Sequence, residues 1–273
     1  MNTENKAKPF LRWAGGKQWL LPKLEELLPN NFKNYHEPFL GGGSVFIHLK
    51  SKGKINGQAY LSDLNSDLIN SYKIVRDEVK GLEIKLQKYT NTEIEYYRVR
   101  DQKLRSPLSK AAQFIFLNRT SFNGIYRVNY QGKYNVPYGH KKYAKLFDFE
   151  NFKNLNKLFQ NTKFDSFDFY NTIDNIKCGD LVFLDPPYTV AHEHNGFIKY
   201  NQKIFQWKDQ LRLKEYIDIV KAKGAYVILT NAAHKSIEDL HSTSGIKYNA
   251  SRFSVVGGIN AKRTKYNEFI FVV

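Results

Sequence analysis

The stretch from Leu181 to Tyr188, with the sequence LVFLDPPY, constrains the fold of this chain more than any other. Its four consecutive apolar residues predict a short strand that is buried on both faces. Strands of that kind belong to α/β sheets covered by helices, so α/β is the expected fold class. Asp185 follows the strand directly, and open α/β sheets bind ligands at the carboxyl ends of their strands. The sequence therefore predicts a carboxylate at the edge of the sheet where a binding site is expected.

The residues after this strand form a rigid polar group. Pro186 and Pro187 fix φ and carry no N–H, and Asp185 is held extended because it precedes a proline. An amino group on an aromatic base needs two hydrogen-bond acceptors as it becomes tetrahedral, and a carboxylate with a rigid carbonyl supplies them. The ring of Tyr188 can stack on such a base. An Asp185 that merely caps a turn, with Tyr188 on the surface, stays open as the alternative.

The charge of the chain indicates a polyanionic partner. Its 273 residues carry 42 Lys and Arg against 26 Asp and Glu, a net charge of +16, and nucleic acid is the usual partner of such a protein. The single cysteine, Cys178, excludes an intramolecular disulfide, and no metal site is predicted. The sequence contains no apolar run of membrane-spanning length and no signal-like segment, so a cytoplasmic protein is expected.

Two glycine turns precede the central strand. Gly15-Gly16 leads through Lys17 into a short amphipathic helix, and Gly41-Gly42-Gly43 leads into a helix that Ser44 is expected to cap. Neither turn matches the phosphate-loop or the dinucleotide-binding pattern. A strand from Tyr35 to Phe39 is predicted before the second turn.

Asp63 is a candidate ligand for a ribose. It ends the next predicted strand about 20 positions after a glycine turn, a spacing at which an acidic residue can bond ribose hydroxyls. The alternative is that Asp63 caps a helix starting near Leu64.

Residues 64–120 have the apolar periodicity of helices, and the polar stretch 118–139 follows them. Alternation around Gln131-Gly132 predicts a β-hairpin, rich in the Asn, Arg, Tyr, Lys and Gln side chains that contact bases and phosphates. An ordinary polar hairpin stays open as the alternative. Lys141, Lys142 and Lys145 follow as candidate phosphate contacts.

The rest of the chain is predicted to complete the sheet. Helices are expected over 148–159 and 207–224, strands over 162–164 and 226–231, and an antiparallel pair over 246–256 and 266–273. Asn231 ends its strand at the same edge as Asp185, without an assigned role. The aromatic stretch 189–205 is interpreted as a lid, and 257–263 as a basic loop that contacts DNA.

Three motifs resemble, in order, those of the Dam family of DNA adenine-N6 methyltransferases. They are FLRWAGGK at 10–17, EPFLGGGS at 37–44 and DPPY at 185–188, and the resemblance covers nearly the whole chain. It implies a Rossmann-like sheet of the kind found in S-adenosylmethionine (AdoMet)-dependent methyltransferases, with a helical plus β-hairpin DNA-recognition insert. Residues 1–69 and 146–273 would form the catalytic AdoMet-binding domain, and 70–145 the target-recognition insert.

The resemblance also implies roles for individual residues. The catalytic residues would be Asp185, Pro186 and Tyr188. The cofactor-binding residues would be Trp13, Lys17, Phe39, Gly41, Gly43, Asp63, Asp168, Phe169 and Asp185. The DNA-binding residues would be Arg12, Phe122, Asn123, Ile125, Arg127, Pro137 and Lys141. Core packing of Trp13 and Phe169, and a solvated Lys17, are the structural alternatives.

The implied function is methyl transfer from AdoMet to the N6 amino group of adenine in double-stranded DNA, at GATC or a GAT-containing site, by a monomer. In related enzymes Asn in place of Asp185 goes with glutamine methylation in proteins, and Ser with cytosine, so Asp favours adenine. An RNA adenine methyltransferase is one alternative, and a non-catalytic DNA-binding protein on the same fold is another. Restriction-modification, mismatch repair and mobile elements are all possible biological settings.

Overall fold

The computed structural model of the protein describes residues 7–189, 205–253 and 265–273. Apart from Thr189 and Phe205, the suggested lid lies outside these ranges, as does the basic loop 257–263. The helices are α1 Leu21–Leu27, α2 Ser44–Ser51, α3 Ser66–Asp77, α4 Val79–Leu86, α5 Glu93–Arg100, α6 Pro107–Thr120, α7 Phe149–Leu158, α8 Trp207–Ala222 and α9 Lys235–Leu240. The strands are β1 Tyr35–Glu37, β2 Ala59–Ser62, β3 Thr162–Asp165, β4 Leu181–Leu184, β5 Tyr226–Ala232, β6 Ile246–Phe253 and β7 Lys265–Val272. Within the described ranges, no helix has the length and apolar character that crossing a membrane requires.

The strands form a mixed seven-stranded sheet with the order β3-β2-β1-β4-β5-β7-β6. Strand β1 pairs parallel with β2 and β4, and β4 pairs parallel with β5. Strand β7 lies between β5 and β6 and is antiparallel to both. The predicted α/β class, Rossmann-like sheet and final antiparallel pair are therefore confirmed.

The chain divides into two compact units. The second unit comprises Trp19–Phe39, Gly57–Leu61 and Asp168–Val273. All four residues of β4 are buried, as the uninterrupted apolar run requires of a central parallel strand. The apolar face of α8 packs in the same core, with Leu213, Ile217 and Val220 fully buried. Gly224, at φ 77°, allows the left-handed turn after this helix.

Asp180 organises the amino end of β4. Its carboxylate is fully buried and accepts hydrogen bonds from the backbone N–H and side-chain amide of Asn34, at 3.1 and 3.0 Å. It also accepts from the backbone N–H of Lys177 at 3.0 Å and pairs with Nε2 of His36 at 2.9 Å. Burial lowers the pKa of His36, against the raising effect of Asp180. The imidazole is therefore held neutral, with Nε2 as the donor to the carboxylate.

A second buried histidine, His241, follows α9. Its ring is fully buried, 5.2 Å from the ring of Phe271, and Nδ1 lies 3.4 Å from the hydroxyl of Ser244. Burial, with the charge of Lys214 as a smaller cause, lowers the pKa of His241 from 6.5 to about 4. The folded protein therefore keeps this imidazole neutral well below the pH at which an unfolded chain would protonate it.

Replacing His241 by Gln is expected to flatten the pH dependence of stability. Between pH 6.5 and 4 the unfolded chain binds a proton at His241 that the folded protein does not, so the free energy of unfolding falls as the pH falls. The loss from this one residue amounts to about 3 kcal/mol, complete near pH 4. Urea unfolding of both proteins at several pH values measures it. Every other histidine is common to the two proteins, so identical pH profiles would contradict the prediction.

The first unit comprises Met1–Gln18, Leu40–Asn56 and Ser62–Phe167 and contains the predicted helical region. Four of its helices begin at a side chain that accepts a hydrogen bond from the first turn, as capping requires. These caps are Asn65 for α3, Thr92 for α5, Ser106 for α6 and Asp148 for α7. The core includes the stacked rings of Tyr72 and Phe164, whose centroids are 5.3 Å apart.

Candidate active site

The Asp-Pro-Pro-Tyr motif begins where β4 ends. Leu184 is the last strand residue and pairs in register with Leu229 of β5, so Asp185 lies beside Thr230. The Thr230 hydroxyl donates to Oδ1 of Asp185 at 2.8 Å. Asp185 and Tyr188 are half-buried, and Pro186 is buried. The motif therefore presents a partly accessible carboxylate and ring at the carboxyl edge of the sheet, where the sequence predicted them.

The segment after the motif is tied to β5 through α8. The Gln210 side chain donates from Nε2 to the Thr189 hydroxyl at 2.6 Å, and its Oε1 accepts from the Asn231 amide at 3.1 Å. Gln210 and Asn231 are fully buried. This series of hydrogen bonds gives Asn231 a structural role, which the sequence alone did not assign. No feature of the sequence distinguishes Gln210 from the other polar residues of its helix.

Phe39 and the Asp168-Phe169 pair come together in the second unit. The rings of Phe39 and Phe169 lie 5.2 Å apart, and Phe169 is buried. Asp168 accepts from the backbone N–H of Tyr170 at 3.0 Å and pairs with Arg212 at 2.8 Å. The Arg212 guanidinium also lies 5.1 Å from the Phe169 ring centroid, and hydrogen bonding to Asp168 raises its pKa. Sequence reasoning missed Arg212, which holds this aromatic and acidic pair in place.

The glycine turn after β1 allows a close approach of side chains to the backbone. Gly41 and Gly43 have φ values of 49° and 64°, which glycine adopts at little cost. A Cβ on Gly41 would lie 2.8 Å from Cδ1 of Trp13, and one on Gly43 would lie 2.7 Å from the Tyr72 hydroxyl. That hydroxyl donates to the Gly41 carbonyl at 3.0 Å. The backbone of this turn is therefore held in one conformation, and a residue larger than glycine at position 41 or 43 would distort it.

Asp63 is bonded to the same turn. Its Oδ2 accepts from the backbone N–H of Gly41 at 3.0 Å and its Oδ1 from that of Asn65 at 2.9 Å. Burial raises the pKa of Asp63, and the two backbone hydrogen bonds oppose that effect. Asn65 is the residue that caps α3, so the alternative in which Asp63 caps this helix is wrong.

Lys17 is buried beside the start of α2. Its backbone N–H donates to Oγ of Ser44 at 3.2 Å, and its Nζ donates to the Gly15 carbonyl at 3.0 Å. The side chain is 3% exposed, so the solvated alternative for Lys17 is wrong. The prediction that Ser44 caps α2 is also wrong, because Gly43 occupies the cap position and Ser44 is the first helical residue.

Trp13 packs in an aromatic group of the first unit. Its ring stacks on Tyr126 with centroids 5.6 Å apart and lies 6.3 Å from Phe114. These contacts are compatible with core packing of Trp13, and they also hold the indole rigidly against the glycine turn.

Arg12 is anchored to the polar stretch 118–139. Its backbone N–H donates to Oδ1 of Asn118, and its carbonyl accepts from Nδ2 of Asn118, both at 2.8 Å. Nδ2 also donates to the Gly124 carbonyl at 3.1 Å. The intervening Phe122 is 52% exposed, and Asn123 has a left-handed φ of 54°. The turn therefore presents a large aromatic ring and an amide to solvent on a rigid support.

The stretch reverses at Gln131-Gly132 as predicted, but it forms isolated bridges in place of regular strands. The bridges are Ser121 with Tyr138 and Val128 with Tyr134. The Pro137 carbonyl accepts from the Phe122 N–H at 2.9 Å, and the Ile125 carbonyl accepts from the Tyr134 hydroxyl at 2.7 Å. Arg127 donates through Nε to Oδ1 of Asn135 at 2.8 Å. Separate backbone hydrogen bonds, supplemented by side-chain bonds, thus replace a continuous ladder.

A group of cations surrounds Tyr143. The guanidinium carbons of Arg119 and Arg12 lie 4.3 and 5.7 Å from its ring centroid. Burial, together with the charges of Arg12 and Arg119, lowers the pKa of Lys141, and burial lowers that of Arg119. Cations that repel one another in this way form a site suited to an anion. Arg119 was missed because dense charge made each single cation uninformative.

The fold is of the Rossmann-like α/β class, with the Asp-Pro-Pro-Tyr motif at the carboxyl end of a central strand. A model of the D12 class N6 adenine-specific DNA methyltransferases matches residues 13–255, and the chain belongs to that family. It is therefore an adenine-specific DNA methyltransferase, which uses a methyl donor and a DNA substrate.

Curated relatives span most of the chain. Type II methyltransferase M.MjaIII of Methanocaldococcus jannaschii is 37% identical, covering 82% of this chain and 84% of the relative. Type II methyltransferase M1.LlaDCHI of Lactococcus lactis subsp. cremoris is 34% identical, covering 96% and 94%. DNA adenine methylase of Escherichia coli K12 is 32% identical, covering 83% and 81%.

Proposed function

We propose that this protein transfers a methyl group from AdoMet to the N6 amino group of adenine in duplex DNA, at GATC or a GAT-containing site. The observation that carries the proposal is the Asp185 carboxylate at the carboxyl edge of β4, oriented by Thr230 and followed by two prolines and Tyr188. We also propose that the protein acts as a monomer in the cytoplasm.

The residues of the first unit fit the methyl donor. Trp13 and Tyr72 pack so closely on Gly41 and Gly43 that the turn requires glycine, and Asp63 offers carboxylate oxygens for ribose hydroxyls beside that turn. Trp13 would pack against the donor, and Lys17 would lie near its charged end. In the second unit, Phe39, Asp168 and Phe169 supply aromatic and acidic groups for an adenine. AdoMet, when bound, supplies a methyl group on a positively charged sulfur, so the methyl is already activated.

The residues of the second unit would act on the base. Adenine in a duplex must be flipped out before its amino group can be reached. Tyr188 would stack on the flipped base, while Asp185 and the Pro186 carbonyl accept its two amino hydrogens. Both hydrogen bonds strengthen as positive charge develops on the nitrogen that forms the new bond to carbon. The carbon–sulfur bond of the donor would break as the new bond forms, so that the donor leaves as a neutral thioether, and the methylated nitrogen would release one proton to water. The protein contributes mainly positioning and electrostatics.

Residues 70–145 are proposed as the target-recognition insert. The exposed Phe122 and Asn123 stand on the turn anchored by Asn118, and Ile125, Arg127 and Pro137 continue along the polar stretch. Arginine and asparagine side chains discriminate base edges, and the cations around Tyr143 would bind phosphates, Lys141 among them. This arrangement supports duplex DNA as the substrate and a short specific site.

The experiment that tests the function is methyl transfer from labelled AdoMet to a GATC duplex, a GATG duplex, a scrambled duplex and single-stranded RNA. Label in GATC alone is the expected result. Label in both the GATC and the GATG duplex would support adenine methylation but show that the target sequence is broader than GATC. Label only in RNA would overturn the substrate, and a folded protein that binds DNA without labelling it would favour the binding-protein alternative.

A further inference from the structure

Near its carboxyl end, strand β5 contains two adjacent polar residues, Thr230 and Asn231, and both are fully buried. Buried polar side chains in a central strand destabilise a fold unless they are hydrogen-bonded. Both are bonded toward the segment Asp185–Thr189, one directly and one through Gln210. The carboxyl end of β5 is therefore built to hold the segment that carries the Asp-Pro-Pro-Tyr motif.

Thr230 holds the first residue of that segment. Its hydroxyl lies 2.8 Å from Oδ1 of Asp185 and 3.3 Å from the carbonyl oxygen of Leu184. The hydroxyl has one hydrogen to donate, and the shorter contact is to the carboxylate. Thr230 is β-branched and lies in a paired strand, so its χ1 angle is restricted and the donor is fixed in direction. A bond to an ionised acceptor is also stronger than one to a neutral carbonyl.

Gln210 holds the last residue. Its Nε2 donates to the Thr189 hydroxyl while its Oε1 accepts from Asn231, and Oδ1 of Asn231 accepts from the backbone N–H of Ala232. These three hydrogen bonds assign the oxygen and the nitrogen of both side-chain amides consistently. With both ends of the segment fixed, the rotation of the Asp185 carboxylate about its broad terminal torsion is set by the hydrogen bonds to its oxygens.

We propose that Thr230 is a positioning residue for the reaction, acting through Asp185. Its hydroxyl sets the plane of the carboxylate, so that the oxygens face the amino group of the base before the reaction starts. Loss of this bond would leave the carboxylate less firmly oriented, and small misplacements of a reacting group are costly to the rate. The inference rests on the proposed function, in which Asp185 accepts an amino hydrogen of adenine.

Two matched pairs of proteins test the role of the hydroxyl. Thr230→Val keeps the branched shape of wild-type threonine without the hydroxyl, and Thr230→Ser and Thr230→Ala differ from each other by the hydroxyl alone. We expect kcat to fall by about 10- to 100-fold in the Val and Ala variants, the value of a hydrogen bond to a charged group. In the Ser variant kcat is expected to stay within about threefold of wild type. KM for AdoMet and the Kd for the GATC duplex are expected to change by no more than about twofold.

The unfolding midpoint of each variant separates positioning from stability. A purely structural Thr230 would lower the midpoint and leave kcat of the folded protein unchanged in Val and Ala, which would overturn the inference. If Thr230→Val does not fold, the Ser and Ala pair decides, because a hydroxyl-dependent kcat supports the inference and equal values of kcat refute it.

Asp185→Ala in the same assay distinguishes the inference from the function on which it rests. An inactive Asp185→Ala with fully active Thr230→Val and Thr230→Ala refutes the inference alone. A fully active Asp185→Ala refutes both. In an Asp185→Ala background, which removes the acceptor of the Thr230 hydroxyl, adding Thr230→Val is expected to lower kcat by much less than it does in wild type, because the two residues act as a unit.

Discussion

Replacing Asp185 by alanine is expected to lower kcat for adenine methylation by about 10³-fold. The variant loses the charged acceptor whose hydrogen bond strengthens as the amino nitrogen becomes positive. Folding is expected to survive, because Asp185 is half-buried and the Thr230 hydroxyl retains the Leu184 carbonyl as an acceptor at 3.3 Å. Binding to duplex DNA is expected to stay close to wild type, because the residues proposed to recognise the target site and to bind phosphates belong to the first unit.

Single-turnover labelling with AdoMet, together with fluorescence anisotropy on a GATC duplex, measures the two effects separately. Asp185→Asn keeps the shape and one acceptor oxygen but loses the charge, so its rate is expected to lie between those of wild type and alanine. Asp174→Ala, at an exposed aspartate of the same unit, is the matched control and should label DNA normally. Full activity of Asp185→Ala would contradict the mechanism.

Replacing Asp180 by alanine is expected to lower the free energy of unfolding by about 3–5 kcal/mol, more than any other substitution considered for its effect on stability. The change removes the acceptor of the buried His36 ring and of the part-buried donors of Asn34 and Lys177. The His36 ring would then be left buried without this partner, which costs free energy, and the other donors would lose a charged acceptor. Urea unfolding at pH 7.5, where the histidines are neutral in the unfolded chain too, gives the value directly.

The control for Asp180 is again Asp174→Ala, whose free energy of unfolding should stay within about 0.5 kcal/mol of wild type. The free energy of unfolding of Asp180→Asn should lie between those of Asp180→Ala and wild type. Its amide oxygen can still accept a hydrogen bond, but its NH₂ group would face the donors that the carboxylate accepts from. A loss below about 1 kcal/mol in Asp180→Ala would show that water or rearranged side chains satisfy the donors.

The parts of this fold that could be predicted from sequence are those set by local patterns. Strand β4 followed from four apolar residues in a row, and α7 followed from its periodicity. The residue that caps α3 was harder to predict, because Asp63 and Asn65 are both able to cap a helix and lie two positions apart. Geometry gave the cap to Asn65 and the glycine turn to Asp63.

The hairpin and the supports of the candidate site show why the rest could not be predicted. Pro137 has no N–H to donate to a strand ladder, and Asn123, with its left-handed φ, bends the chain. The stretch 118–139 therefore forms isolated β-bridges and no regular strands. The bond from Thr230 to Asp185 joins residues 45 positions apart and depends on the register of β4 with β5. A single sequence does not reveal that register, so neither Thr230 nor Gln210 could be singled out.

The position of β7 affects how this protein is made. This strand follows β5 and β6 in the chain but lies between them, with Thr230 opposite Ile270 and Asn231 opposite Phe269. During synthesis on the ribosome, β5 and β6 therefore emerge with unpaired backbone N–H and C=O groups, which remain unpaired until β7 has been synthesised. Until then these strands can pair with those of other nascent chains. The segment that supports Asp185 becomes firm only after β7 has been synthesised and paired, so a chain without β7 should not yet methylate DNA.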